Sequence, residues 1–117
     1  MQYLCLIYEA ETLANARTDE ENGALYGAYS AFDKGIRENG QYVGGNALMP
    51  TDTATTVQVR DGETLVSDGP FAETKEQLGG YYLLECANLD EAIASAAKIP
   101  SAKDGCIEVR PIMVFDQ

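Results

Sequence analysis

The segment from residue 2 to residue 8 constrains the fold of this chain most, because it is apolar on both of its alternating faces. The two faces of an extended strand there would be Tyr3, Cys5 and Ile7, and Leu4, Leu6 and Tyr8. A strand without a polar face is covered on both sides in a folded protein. Residues 81–86 repeat nearly the same pattern. We therefore expect both segments to lie inside a sheet that is covered on each face.

Two amphipathic helices are predicted beside these strands. Thr18 and Glu21 fit a capping box and predict a helix from about residue 19 to residue 39, closed by Gly40. Its apolar stripe is Leu25, Tyr29, Phe32 and Ile36. Asn88, with Glu91 three residues later, predicts a second helix that Pro100 stops just after Ile99. The inner stripe predicted for it is Leu89, Ala92, Ile93, Ala96 and Ala97. Residues 9–17 show no pattern and read as a connection.

The other strands complete an α+β order. Residues 42–49 predict a short strand, and residues 106–110 predict the last central strand, followed by a mostly apolar tail over residues 111–115. Residues 55–60 and 64–67 flank Asp61-Gly62, a strong hairpin signal. The resulting order, β-α-β-β(hairpin)-β-α-β, is a ferredoxin-like split βαβ with an extra β-hairpin.

The two helices can cover only one face of this sheet. The apolar residues on the other face would form a patch large enough to drive association. The direct solution is a second copy of the chain whose sheet packs on the first, which gives a homodimer.

The length and net charge of the chain limit the number of domains and the kinds of partner that we expect. At 117 residues we expect one domain over residues 1–117. The formal charge of −11 makes nucleic acid and membrane poor partners and is explained by solubility or by a cationic partner or substrate. The start of the chain resembles no signal peptide, and no apolar run reaches membrane-spanning length, so we expect a cytoplasmic protein.

The titratable side chains exclude several kinds of chemistry. There is no histidine, so a Ser/His/Asp triad is ruled out. Cys5, Cys86 and Cys106 are far apart in apolar segments and are expected to be buried, reduced and structural. The acidic residues have no metal-ligand spacing. We expect neither a metal nor another cofactor.

Residues 67–82 combine turn formers, acidic residues, a lysine and a glycine pair between two apolar runs. In one interpretation Asp68-Gly69-Pro70-Phe71 is a structural turn, with Asp68 bonding the amides after it and Phe71 anchored in the core. In the other, the turn places Asp68 as a general acid or base at the mouth of a cleft that Phe71 lines.

Further candidate site residues also have one structural and one functional interpretation each. Glu73 and Lys75 are either a solvated turn or pocket residues, and Gly79-Gly80 either makes a bend or bulge or permits close approach of a ligand. Tyr26, Tyr29 and Tyr81 are either core residues or residues that orient a polar ligand in an apolar pocket.

A family resemblance rests on the same stretch. Asp68-Gly69-Pro70-Phe71, followed by Ala72-Glu73-Thr74-Lys75-Glu76-Gln77-Leu78-Gly79-Gly80-Tyr81, resembles the signature of the DGPF branch of the YCII-related family. The resemblance covers almost the whole chain and implies a dimeric α/β barrel. Other branches of the family are associated with a proposed histidine–aspartate pair. Without a histidine, only Asp68 is carried over by position.

Two functions follow as hypotheses. The first is a cofactor-independent acid–base enzyme that acts on a small molecule through Asp68, as the resemblance to dimeric α/β barrels permits. The alternative is a ligand-binding or regulatory accessory protein without catalysis. The resemblance implies this because DGPF-type proteins are often encoded beside alternative sigma factors.

Overall fold

Four antiparallel strands form the central sheet of this protein, and a separate two-stranded hairpin stands beside them. A computed structural model describes residues 1–115. The elements in chain order are β1 (Gln2–Glu9), α1 (Glu11–Asn15), α2 (Asp19–Glu38), β2 (Tyr42–Ala47), β3 (Thr55–Arg60), β4 (Glu63–Asp68), β5 (Gln77–Glu85), α3 (Leu89–Ala96) and β6 (Cys106–Pro111). Short 3-10 turns occupy Thr51–Thr53 and Pro100–Lys103.

The strand order of the central sheet is β2-β5-β1-β6, and every neighbouring pair is antiparallel. The parallel strands β1 and β2 are joined through α2, with β5 between them. The parallel strands β5 and β6 are joined through α3, with β1 between them. This is a split βαβ repeated twice, so the α+β class is confirmed and the topology is compatible with a ferredoxin-like fold.

The predicted hairpin is present, but it forms its own sheet. β3 and β4 pair with one another from Thr55↔Asp68 to Arg60↔Glu63. Asp61 and Gly62 between them have φ values of 51° and 78°, as a type I′ turn requires. In the described part of the chain neither strand pairs with the central sheet.

The helix boundaries follow their caps. The Thr18 hydroxyl accepts from the Glu21 amide at 3.1 Å, while the Glu21 carboxylate accepts from the Thr18 amide at 3.0 Å. Gly40 follows the helix at φ 80°. At α3 the Asn88 side chain accepts from the Glu91 amide at 2.9 Å. Both predicted caps are therefore confirmed.

One helix was missed. Residues 9–17, expected to be a connection, contain α1, a single turn in which the amides of Leu13 and Ala14 bond to the Ala10 carbonyl. Five residues are too few to show a helical period in the sequence. The side chain of Glu11 joins this turn to the next loop, since it accepts from the amide and hydroxyl of Thr51 at 2.8 and 2.6 Å.

The core lies between the helices and one face of the sheet. Its buried members are Tyr3, Cys5, Ile7, Phe32, Ile36, Leu84, Cys86, Ala92, Ala96 and Ile99. On the opposite face Leu4, Leu6 and Leu83 are only partly covered. The described chain measures 49 × 48 × 18 Å. This flat shape corresponds to one sheet with one helical layer.

The inner stripe predicted for the second helix is partly wrong. Ala92 and Ala96 are buried, but Leu89 and Ile93 are about half exposed. The helix presents its small side chains to the sheet, with Ser95 also buried. Because the buried stripe is centred on 92, 96 and 99, positions 89 and 93 fall at its edge.

The expectation that all the cysteines are buried is also partly wrong. Cys5 and Cys86 are buried, whereas Cys106 is exposed. Cys106 lies opposite Tyr8 at the start of the edge strand β6, on the uncovered face of the sheet. Its sulfur is 3.4 Å from a carboxylate oxygen of Glu76. The apolar neighbours of Cys106 in sequence indicated a strand correctly but not the face of its first residue.

Candidate functional site

A cleft of ≈ 580 Å³ lies where α2 crosses the edge strand β2 and its neighbour β5. Its volume is within the range of about 300–1,000 Å³ that is usual for small-molecule sites. We call it the tyrosine cleft because four tyrosine side chains line it: Tyr26, Tyr29, Tyr42 and Tyr82. The other lining residues include Ile7, Glu9, Asn22, Leu25, Asp33, Arg37, Ser101 and the backbone of Asn46 and Tyr81, whose side chains lie on the opposite face of the sheet with Leu6.

One helix face supplies one wall. Asn22, Tyr26, Tyr29, Asp33 and Arg37 line the cleft, and their spacing of three or four residues places them in one row along α2. This row lies beside the apolar stripe that packs Phe32 and Ile36 into the core. The same helix therefore closes the core with one face and builds the cleft with the adjacent one.

Glycines let the floor of the cleft form. A Cβ on Gly45 would lie 2.7 Å from Tyr82 Cδ1 and 2.9 Å from the Tyr81 carbonyl oxygen. A Cβ on Gly80 would lie 2.9 Å from the Asn46 carbonyl oxygen. Close approach of β2 to β5 thus requires both glycines.

The glycine pair also makes a bulge. Ile7 pairs with Gly80 and Tyr8 pairs with Leu78, so that Gly79 is the additional residue on β5. The predicted bend or bulge at Gly79-Gly80 is confirmed, and both glycines also line the cleft.

A nearly buried ion pair holds Glu9, which lines the cleft. Arg17 donates to both carboxylate oxygens of Glu9 at 2.8 and 2.5 Å, and their side chains are only 11% and 14% exposed. The hydrogen bonds that Arg17 donates to Glu9 raise the pKa of Arg17 further above its ordinary value. Such a bidentate pair fixes both side chains, and an oxygen of Asp104 lies 3.9 Å from the same guanidinium group.

Beside that pair, Tyr29 is held by Ser101. Their hydroxyl oxygens are 2.6 Å apart. Burial raises the pKa of Tyr29, and its hydrogen bond with Ser101 opposes part of that rise. Tyr29 is therefore a neutral hydroxyl at physiological pH, fixed across the gap between α2 and the 3-10 turn at residues 100–103.

A second arginine, Arg37, lines the cleft itself. Arg37 Nε donates to Asp33 Oδ2 at 2.6 Å, and its guanidinium carbon lies 3.8 Å from the centre of the Tyr42 ring. This is a cation–π arrangement combined with an i, i+4 ion pair.

Tyr82 forms part of the floor. Its ring meets Phe32 edge to face at 5.1 Å between centroids. Burial first, and then the charge of Asp33, raise the pKa of Tyr82 to about 12. On the opposite face of the sheet, the amide nitrogen of Asn46 donates to the Tyr81 hydroxyl at 2.9 Å. The cleft thus offers aromatic surface, neutral hydroxyls and carboxylates that are already paired with arginines.

This arrangement suits binding better than proton transfer. Neither Tyr29 nor Tyr82 has a pKa near neutrality, and Glu9 and Asp33 are both engaged by guanidinium groups. Among residues 1–115 no group of three or more Cys, Asp or Glu side chains is arranged to hold a metal ion.

The structure separates the predicted site residues into two groups. Tyr26 and Tyr29 are brought together in the tyrosine cleft, whereas Tyr81 borders it only through its backbone and its ring lies on the other face of the sheet with Leu6. Asp68 ends β4, and Phe71, Glu73 and Lys75 are exposed in the loop that follows. All four of these lie outside the cleft of their own chain.

The turn itself is partly as expected. Gly69 has φ 92°, so it uses the freedom predicted for it. The interpretation in which Phe71 anchors the core is wrong, since its side chain is 81% exposed. The loop after Pro70 runs over the surface and offers Phe71 no enclosing neighbours within the chain.

The sequence interpretation missed several lining residues, namely Glu9, Asp33, Arg37, Tyr42, Asn46 and Tyr82. One signal for them was present: Tyr29, Asp33 and Arg37 recur at a spacing of four residues. The others come from β1, β2 and β5, and their meeting depends on the sheet order.

Comparisons with known proteins agree on one family. The family model for the YCII-related domain matches residues 1–116. An uncharacterised protein of Rhizobium meliloti (strain 1021) is 41% identical over 117 residues, an alignment that covers 98% of this chain and 94% of that protein. The DGPF branch stays a prediction. The chain belongs to the YCII-related family.

The helices within residues 1–115 include none that is long and apolar enough to cross a membrane.

Proposed function

We propose that this protein is a homodimer that binds a small organic molecule in the tyrosine cleft of each chain. The cleft carries the proposal, because it combines an open volume of ≈ 580 Å³ with four tyrosine side chains and two carboxylates held by arginines. Aromatic walls with a few fixed polar groups are typical of small-molecule sites.

The uncovered face of the sheet supports the dimer. Leu4 and Leu6 on β1 lie opposite Leu83 and Tyr81 on β5 at the centre of this face. Glu108 and Arg110 on the edge strand β6 lie beside them. An apolar centre with a charged margin is the usual composition of a protein interface.

Other exposed apolar side chains also support a dimer. The hairpin exposes Val57, Val59 and Val66, and the segment after β6 exposes Met113, Val114 and Phe115. Apolar surface on this scale is unusual for a monomer of this size. A second copy that covers the sheet face would also shelter part of it.

A binding function is favoured over an acid–base reaction in which Asp68 would be the catalytic group. This residue is exposed at the base of the hairpin and lies outside the cleft of its own chain. Asp68 can act on a molecule in a tyrosine cleft only if the second chain of a dimer carries it there. A regulatory accessory role requires only that the cleft bind a ligand, and it is therefore the function that the geometry of the cleft supports best.

A matched pair of exposed aromatic residues tests the proposal. Tyr26 and Phe71 are 77% and 81% exposed, but only Tyr26 lines the cleft. A fragment screen by two-dimensional NMR on the purified protein should give ligands whose shifts cluster at residues of the cleft. Tyr26→Ala should weaken the best of these ligands by about tenfold, as loss of an aromatic contact worth ~1 kcal/mol or more implies.

Phe71→Ala and Asp68→Asn are the controls and should keep the wild-type affinity. Absence of any fragment that shifts cleft residues would contradict the proposal. Equal losses in Tyr26→Ala and Phe71→Ala would contradict it as well. A ligand whose affinity or turnover depends on Asp68 would restore the acid–base hypothesis.

A further inference from the structure

Arg37 differs from the other charged groups of the cleft because its position is fixed while part of its guanidinium group can still donate to a ligand. Its Nε donates to Asp33 at 2.6 Å, and its guanidinium group lies on the Tyr42 ring at 3.8 Å. Within residues 1–115 neither Nη atom of Arg37 is hydrogen-bonded to a carboxylate. The edge that carries these two atoms can therefore meet an anionic ligand.

A planar guanidinium held in this way is prepared for one kind of ligand group. Two parallel N–H donors match the two oxygens of a carboxylate, and a fixed fork loses little entropy on binding. Arg37 is also the only basic side chain that lines the cleft within the described residues.

Three of the four carboxylate oxygens in the cleft are already engaged by arginines. Both oxygens of Glu9 accept from Arg17, and one oxygen of Asp33 accepts from Arg37. Burial raises the pKa of Tyr82, so its hydroxyl keeps a proton that it can donate, whereas the Tyr29 hydroxyl is already hydrogen-bonded to Ser101. Beside Arg37, Tyr82 is therefore the second donor that an anionic ligand meets.

An organic cation fits the same cleft less well. The face of Tyr42 that would attract a cation is already covered by Arg37. The overall charge of −11 favours cations at long range, but physiological salt screens charges beyond about 8 Å. Direct contacts within the cleft therefore decide the choice of ligand.

We propose that the ligand of the tyrosine cleft is a small aromatic carboxylate whose carboxylate is bound by the Nη edge of Arg37 and whose ring lies among the tyrosines. This rests on the proposed binding function and adds the chemical class of the ligand.

The test compares 4-hydroxybenzoate with 4-hydroxybenzamide, which has nearly the same size but no charge. Affinities are measured by NMR titration of the full chain, following residues of the cleft. The wild type should bind the carboxylate about tenfold more tightly than the amide, because only the carboxylate accepts two charge-assisted hydrogen bonds.

Variants at position 37 identify the group responsible. Arg37→Gln should remove the preference, so that the carboxylate and the amide bind with affinities within about twofold of one another. Arg37→Lys keeps the charge but not the fork and should recover only part of the preference. Arg60→Gln alters an exposed arginine of the hairpin and should behave as the wild type.

Failure of this inference can be distinguished from failure of the binding function. Equal binding of the two probes in the cleft, unchanged in Arg37→Gln, would overturn the carboxylate proposal and leave a binding cleft. Tighter binding of 4-hydroxybenzylamine would overturn it in favour of a cationic ligand. If neither aryl probe shifts cleft residues, the aromatic carboxylate is overturned, and the fragment screen alone then decides whether the cleft binds anything.

Discussion

At the scale of the residue, glycine sets the geometry of the tyrosine cleft. Gly45 lies on the edge strand β2, where any side chain would meet the ring of Tyr82 and the backbone of Tyr81. Gly23 and Gly27 lie in α2 with open space around them. The same residue type therefore fits a close contact at one position and is only tolerated at the others.

We expect Gly45→Ala to destabilise the protein by about 1–3 kcal/mol, because the new methyl group must displace Tyr82 or separate β2 from β5. Gly23→Ala is the matched control and should stabilise the protein by up to about 1 kcal/mol through helix propensity. Urea unfolding followed by far-ultraviolet circular dichroism measures both changes. A neutral Gly45→Ala would mean that β2 does not approach β5 this closely.

Tyr82 makes the stability of the folded protein depend on pH in the alkaline range. Its pKa is raised from the ordinary value of 10.0 to about 12, first by burial. Because the folded pKa lies above the unfolded one, the stabilisation is complete below pH ~10 and is lost as the pH rises towards ~12.

We expect Tyr82→Phe to flatten the decline of unfolding free energy between pH ~9.5 and ~11, since the hydroxyl that resists ionisation in the folded state is removed. Tyr26→Phe makes the same change on an exposed ring and is the control. Urea titrations at several pH values measure the slope. An unchanged slope in Tyr82→Phe would mean that the ring lies in water.

At the scale of the element, position in a strand decides how accessible each thiol is. Cys5 lies at the centre of β1 on the helix-covered face, where burial raises its pKa to about 11. Cys86 follows β5 and is also buried. Cys106 begins the edge strand β6 on the uncovered face and is exposed.

We expect Cys106 to react with an aromatic disulfide reagent in the native protein in an early phase, and the other two thiols only after denaturation, because the reagent reaches an exposed sulfur and not a buried one. Cys106→Ser should remove the early phase and Cys5→Ser should leave it intact. Absorbance of the released thiolate follows the reaction. Three early equivalents in the native wild type would contradict the burial of Cys5 and Cys86.

At the scale of the whole molecule, the uncovered sheet face decides the oligomeric state. Leu6 lies at its centre on β1, opposite Tyr81 on one side and Glu108 on the other. With a thickness of only 18 Å, the described chain has no second layer of its own to cover this face.

We expect sedimentation equilibrium at micromolar concentration to give twice the chain mass of 12.6 kDa. Leu6→Lys should shift the equilibrium to a folded monomer, because a charge at the centre of an apolar interface is costly to bury, whereas in the monomer it lies beside Glu108. Ile93→Lys places the same charge on the exposed side of α3 and should stay dimeric. A monomeric wild type would contradict the dimer.

The sequence by itself determined the features that depend on neighbouring residues. The capping box at Thr18, the N-cap at Asn88, the left-handed residue at Gly40 and the type I′ turn at Asp61-Gly62 all lie where their local patterns predict. These signals act over a few residues, because a cap or turn needs only its own backbone geometry. Together with the apolar alternation of β1 and β5 they were sufficient for an α+β chain with a split βαβ order.

Only the tertiary structure decided which distant residues meet. The tyrosine cleft joins Glu9, the outer row of α2, Tyr42 and the glycine-rich parts of β2 and β5, and it exists because β5 lies between β1 and β2. The turn at Asp68, prominent in the sequence, lies outside this cleft in its own chain. Local patterns carry no information about such distances, since the side chains that line a cleft are selected by sheet order and helix packing rather than by their neighbours in sequence.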